Sequence, residues 1–482
     1  MARNLLIYSG MKDNKEERTT KKTAPKGDRV QDMTTGDPKR LIFLFMLPVI
    51  GGNILQQLYT VVDAMIVGQG VGVEALAAVG STDWVYWMFM WAAGGFGQGF
   101  SVIVATAFGE KDMPKLRRSV CLSIEMSIAC GIGLAGLGLI TAGPILRLLH
   151  TPENIYASAR MYLSIMFIGV LVICIYNTFA CILRALGDSR NPFLALIIST
   201  VINIGLDILF VLVWHWGVAG AAIASVIAQS MAGTWCFICY RRIRLLRAVR
   251  EEWKPEKAMI RALWNKGFAT AFQYSIIAIG GVVVQFGINS LGFVYVAGFT
   301  ATNKVYGVLE ATSLAMGNTM MVYTGQNYGA RNKERIRRGT RISTLFGVII
   351  SVILGILMIT FGKHILMLFI DSGSASAGEV LEVAYRYLFN MSLMLVVLYI
   401  INTYRYIVMG MNCMTMVVVS STAEFLGRVV MTILTLTVIG AAGVYFIEIT
   451  AWACSALTLF VAYFVIIHKL NFGGENYELR TA

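Results

Sequence analysis

Apolar stretches of about 20 residues, the length that crosses a hydrocarbon core, recur about twelve times between residues 41 and 467. The breaks between them alternate in kind. Those near Gly70, Trp216, Leu291 and Gly440 carry almost no charge, whereas those at 241–266 and 331–341 are rich in Lys and Arg. The pattern predicts spans over 41–68, 77–108, 119–142 and 157–183, a hairpin of two more spans over 191–240, and six further spans over 266–467. Residues 1–40 are polar and without periodicity, so they are expected to form a disordered tail whose first 32 residues are dispensable. Residues 241–265, basic throughout, read as a linker that lies along a leaflet or is solvated, and 468–482 read as a second tail.

Polar residues inside the spans are few, which makes their placement informative. In the fifth span Asn203 and Asp207 are four residues apart on one helical face. A carboxylate at membrane depth costs about 2.5–3.5 kcal/mol, so it is expected to face protein or an aqueous cavity and to have a task there. The turn Trp214-His215-Trp216-Gly217 suits a membrane surface. Asp207 lies seven residues before Trp214 and Ser225 eight after Gly217, which puts both about 10 Å deep at 1.5 Å per residue. Asp63 adds a carboxylate from the first span, five residues before Gly68. Asp63, Asn203, Asp207 and Ser225 at one level would make a site for a proton or a hard cation such as Na+, the only metal site expected.

Composition agrees with a polytopic membrane protein: 57% of the 482 residues are hydrophobic and 14% charged, with a mean hydropathy of +0.68. The net charge of +13 would suit nucleic acid, but its distribution argues otherwise. Ten Lys or Arg fall in the first 40 residues, nine between Arg241 and Lys266, and six between Arg331 and Arg341. This is the positive-inside pattern, which places both termini in the cytoplasm and leaves no basic surface to assign to nucleic acid. Of the eight cysteines, Cys236-x-x-Cys239 alone has a metal-like spacing, and it lacks a second pair or a nearby histidine. No cofactor is expected.

The second half repeats the first. At an offset of 220, Phe108-Gly109-Glu110-Lys111-Asp112 falls on Tyr328-Gly329-Ala330-Arg331-Asn332, Arg117-Arg118 on Arg337-Arg338, and Gly97-Gln98 on Gly317-Asn318. Near the hairpin the offset drifts to 223, where Gly217 and Gly220 fall on Gly440 and Gly443. Units of six spans share one orientation, so they are expected to be parallel repeats. The acidic site is not repeated. Asp63 falls on Val283, and the region matching Asn203 and Asp207 holds Glu424 and Arg428, spaced to pair on one helical face as a structural ion pair or to meet substrate.

These features resemble the multidrug and toxic compound extrusion (MATE) transporters over residues 33–468. The matching residues are Pro48, Gln56-Gln57-Leu58-Tyr59-x-x-x-Asp63-x-x-x-Val67-Gly68, Leu183-Arg184-Ala185-Leu186-Gly187-Asp188-Ser189-Arg190-Asn191-Pro192, Asn203-x-x-x-Asp207, and Gly217-Val218-x-Gly220-Ala221-Ala222. The resemblance implies an all-α fold of twelve transmembrane helices in two six-helix lobes forming a V, exporting organic, often cationic compounds by cation-driven alternating access. It places the N-lobe cation site of one branch on Asp63, Asn203, Asp207 and Ser225. The C-lobe acidic site of another branch does not carry over: its early helix 7 position falls on Gln273, and 389–401 holds no acid.

No GxSxG, HExxH or GxxxxGK motif is present, so neither an enzyme nor a self-contained ATP-driven pump is expected. The expectation is a Na+- or H+-coupled antiporter, a monomer in the cell membrane. The runner-up is a lipid-linked precursor flippase of a related bundle, and the different-class alternative is an intramembrane enzyme with Asp63 and Asp207 as its dyad. Gln57, Tyr59, Asn177, Met231, Gln273, Tyr274 and Gln285 are the candidates to line a substrate cavity, since amides, aromatics and a thioether suit flat apolar cations.

Overall fold

A computed structural model describes residues 30–71, 73–149, 151–370 and 376–470; the outer parts of both expected tails, 1–29 and 471–482, lie outside the described residues. The first half contains α1 (Pro38–Gly70), α2 (Val73–Glu110), α3 (Met113–Leu148), α4 (Glu153–Ala185), α5 (Arg190–Asp207) and α6 (Gly217–Arg242). The second contains α7 (Lys257–Asn289), α8 (Phe293–Gly329), α9 (Lys333–Met367), α10 (Ala377–Leu393), α11 (Leu395–Gly410), α12 (Met414–Leu434) and α13 (Ile447–Lys469). Helices α10 and α11 meet at a bend of 52° and together have the length and hydropathy of one span. Counting that pair once, eleven spans among the described residues are long and apolar enough to cross a membrane. The twelfth, α8, is longer than most but more polar, because it packs against protein: Thr319, Thr324, Gln326 and Asn327 are fully buried on it.

The repeat is written into the backbone. Asp112 caps α3 by accepting from the Lys115 N–H at 3.0 Å, and Asn332, 220 positions on, caps α9 from the Arg335 N–H at 3.0 Å. Lys111 and Arg331 before them both take a positive φ, 59° and 54°. Helix α5 continues without a break into a π-helical stretch, Ile208–Val213, and α12 likewise into Thr435–Ile439. Widened turns of this kind are rare and concentrate at functional sites.

Repeat-related residues meet where the halves touch, as a pseudo-twofold axis requires. Gln98 donates to Asn318, its repeat counterpart, at 2.9 Å. A Cβ on Gly109 would run into the Gln326 backbone, and one on Gly329 into the Thr106 backbone, so each glycine admits the other half's helix.

Two connecting segments differ from expectation. Residues 30–37 belong to the packed structure rather than to a tail: Met33 is fully buried, its N–H donates to Gln326 Oε1 at 2.8 Å, and Gln31 N–H donates to the Leu186 carbonyl at 3.0 Å. Arg335 donates to the carbonyls of Met33, Thr35 and Gly36 at 2.9–3.1 Å. The segment therefore straps the loop after α4 to α8 and α9. Its charged composition hid one anchoring methionine. The linker is shorter than 241–265, because α6 runs to Arg242 and α7 starts at Lys257. It is neither a free strand nor one amphipathic helix. Glu252 is buried against Arg117 at 2.7 Å and Glu256 pairs with Arg118, tying the linker to α3.

Candidate ion-coupling site

Helices α1, α5 and α6 bring Asp63, Asn203, Asp207 and Ser225 together. Asn203 and Asp207 are fully buried and Ser225 nearly so, and the carboxyls of Asp63 and Asp207 are direct neighbours. Asn203 Nδ2 donates to Ser225 Oγ at 3.4 Å, and that hydroxyl lies 2.9 Å from the Tyr59 hydroxyl. Tyr59, a cavity candidate by sequence, thus belongs to this site. The signal was available, since Tyr59 precedes Asp63 by four residues and shares its helical face.

The donors run out before the acceptors do. Asp63 Oδ1, Asn203 Oδ1 and both oxygens of Asp207 are buried with no hydrogen-bond donor from another group among the described residues. Two adjoining carboxylates in a low-dielectric interior repel, so the arrangement calls for a positive charge or a proton between them. No three His, Cys, Asp or Glu gather as metal ligands among the described residues, and all eight cysteines are free thiols. Oxygen-only ligation of this kind suits a hard cation and not a soft one. The π-helical stretch starts at the residue after Asp207, and within it Phe210 stacks on Trp214 and Trp216 at 5.1 and 4.8 Å. That aromatic group closes the hairpin end.

The corresponding place in the second half is built otherwise. Arg428 and Glu424 lie 3.0 Å apart, but they are two members of a group of four. Arg428 also meets Glu448 of α13 at 2.9 Å, and Arg405 of α11 meets Glu424 and donates to Ser455 at 2.9 Å. Sequence spacing found only the pair within one helix. Arg405 and Glu448 approach from other helices, so no periodicity marks them.

The remaining cavity candidates are not gathered into one site. Gln57 is exposed on α1 opposite Gly307 of α8; Asn177 backs onto Gly97; Met231 is exposed. Gln273 is buried with Oε1 unpartnered, Tyr274 bonds Tyr406 at 3.2 Å, and Gln285 pairs along its own helix with Asn289 at 2.7 Å.

The MatE family model matches residues 48–209 and again 269–434, once per repeat. A probable multidrug resistance protein, YoeA of Bacillus subtilis (strain 168), is 28% identical over 357 residues, 72% of this chain and 76% of its own length. An FAD transporter of Shewanella oneidensis is 24% identical over 344 residues, 68% and 74% of the two chains. Among solved structures, an outward-facing multidrug resistance MATE transporter of the MOP superfamily superposes with a TM-score of 0.85 at 22% identity, covering 93% of this chain and 99% of that one. A MOP superfamily transporter from Pyrococcus furiosus, described as having a binding pocket of reverse polarity, gives 0.86 at 22% identity with the same coverage. With the family model covering most of both repeats, this multi-pass membrane protein belongs to the MatE family and is a MATE transporter, not an enzyme.

Proposed function

We propose that the protein exports organic cations by alternating access, driven by Na+ or H+ that binds at Asp63, Asn203, Asp207 and Ser225. The observation that carries this reading is the set of four buried acceptor oxygens without a donor on three of those residues. Both termini and the basic loops face the cytoplasm, as the placement of Lys and Arg argues. The protein works as a monomer in the cell membrane.

Helix α1 is the element through which ion binding reaches the other half. It carries Asp63 and Tyr59 at the site, and ten residues before Asp63 it carries Asn53, whose amide donates to the Ala311 carbonyl of α8 at 2.8 Å. A cation or proton at Asp63 and Asp207 removes their repulsion and lets α1 seat against α5 and α6. Loss of the ion favours a hydrated, loosened site. The same grip on α8 then shifts, and the two halves change their relative pose. An incoming ion also withdraws the negative charge that attracts a cationic substrate, so ion entry and substrate release go together.

The flippase alternative loses its support. It would need a cationic cavity, and the guanidinium groups of Arg405 and Arg428 are already engaged by Glu424 and Glu448. The test is accumulation of a permanently charged dye in proteoliposomes under separately imposed Na+ and pH gradients. One of the two gradients should drive uphill movement; transport that runs only downhill under both would refute coupling.

A further inference from the structure

The charge balance of the second half leaves one carboxylate over. Arg405 and Arg428 are matched by Glu424 and Glu448. Glu310 of α8 adjoins this group, and among the described residues its one hydrogen bond is from the Tyr306 hydroxyl, which donates at 3.2 Å. No Lys, Arg or His lies within ion-pair distance of it among the described residues, and it is half-buried. An anion so placed inside a membrane protein needs a partner.

Its surroundings say which kind. Gly307, one turn before Glu310 on the same side of α8, lies opposite Gln57 of α1, and Asn53 of α1 donates to the Ala311 carbonyl, so this turn of α8 runs beside a helix of the other half. The Tyr306 ring is stacked on the buried Trp452, with centroids 5.9 Å apart and planes within 19°. A carboxylate beside an aromatic ring, with the exposed amide of Gln57 opposite, suits a flat ring system bearing a positive nitrogen. It does not suit a small metal ion, because the oxygens of Glu424 and Glu448 that would complete a ligand shell are occupied by guanidinium groups.

We propose that Glu310, with Tyr306 at its side, is a substrate-binding residue that takes the charged nitrogen of a flat organic cation, separate from the coupling site between α1, α5 and α6. Arg405 and Arg428 supply the reason for its selectivity. By neutralising two of the three carboxylates with charges that cannot leave, they leave a single negative charge for the substrate. The inference rests on export of organic cations. Its test is a binding measurement without any gradient, so it can fail while coupling holds, and the reverse.

The experiment titrates the full chain in nanodiscs with N-methylacridinium, a permanent cation, and with acridine at alkaline pH, its uncharged counterpart of the same shape. Glu310→Gln keeps the size and the acceptor for Tyr306. It should weaken acridinium binding by about tenfold or more and leave acridine unchanged. Tyr306→Phe should weaken acridinium by less. Glu310→Asp, which keeps the charge, should keep the preference for the cation, and it decides the matter if Glu310→Gln does not fold. Equal loss of both dyes, no loss of either, or a wild-type protein that does not prefer the cation would overturn the proposal.

Discussion

The two halves of this transporter put opposite chemistry on the same framework. Helices α5 and α12 occupy matching places in the repeat, and each runs on into a π-helical stretch. On α5, Asn203 and Asp207 join Asp63 in a group that has no cationic partner among the described residues. On α12, Glu424 and Arg428 join Arg405 and Glu448 in a group whose cations are part of the chain. A tethered guanidinium cannot leave, so this group of four keeps its charge balance. On the proposed function the first half takes its cation from solution, and an equilibrium that depends on solution composition is what a gradient can drive. The repeat supplies two equivalent positions, and the difference in their side chains is what the proposed function builds on.

The fixed group offers the largest effect by which to break this comparison. Glu424→Gln alone leaves Arg405 buried without its carboxylate, which should cost about 3–5 kcal/mol and lower the yield of folded protein. Adding Arg405→Gln should recover most of it, since Arg428 and Glu448 remain paired at 2.9 Å. Adding Arg428→Gln should not, because it strands Arg405 and Glu448 separately. Thermal melting followed by size-exclusion chromatography reads all three. Equal recovery in both double variants would mean that Glu424 and Arg428 form a closed pair after all.

The strap comes next. Met33→Ala empties a fully buried position between the halves and should cost about 2–3 kcal/mol. Deleting residues 1–29 should leave transport and melting temperature unchanged, whereas deletion through residue 37 should lower both. The smallest effect belongs to Ser225→Ala. It removes one neutral hydroxyl shared by Tyr59 and Asn203, worth about 1 kcal/mol, so the ion concentration for half-maximal efflux should rise by about fivefold with the maximal rate kept.

Much of this was legible in the sequence, and the gaps have physical causes. Apolar length marked the spans, and the offset of 220 marked Gln98 and Asn318 as counterparts, which the structure brings into contact. The i,i+4 rule located Asn203 with Asp207 and Glu424 with Arg428 because both residues of each pair share a helix. It had no hold on Arg405 or Glu448, which enter from neighbouring helices. The strap was missed for a different reason. Met33 is a lone apolar residue in a polar run, and its burial is decided by Gln326 and Arg335, about 300 positions away. The π-helical stretch Ile208–Val213 carries no signature of its own, because inserting one residue into a wholly apolar run leaves its pattern unchanged.

The central claim is that the first half takes up the driving ion and the second does not. Gradient-driven dye accumulation in liposomes containing Asp207→Asn tests it most directly, since the amide keeps the volume of the side chain and removes its charge. The account predicts that accumulation against the dye gradient disappears under both an imposed Na+ gradient and an imposed pH gradient, while the Glu424→Gln, Arg405→Gln double variant still accumulates dye. Accumulation by Asp207→Asn at the wild-type rate under either gradient would contradict it.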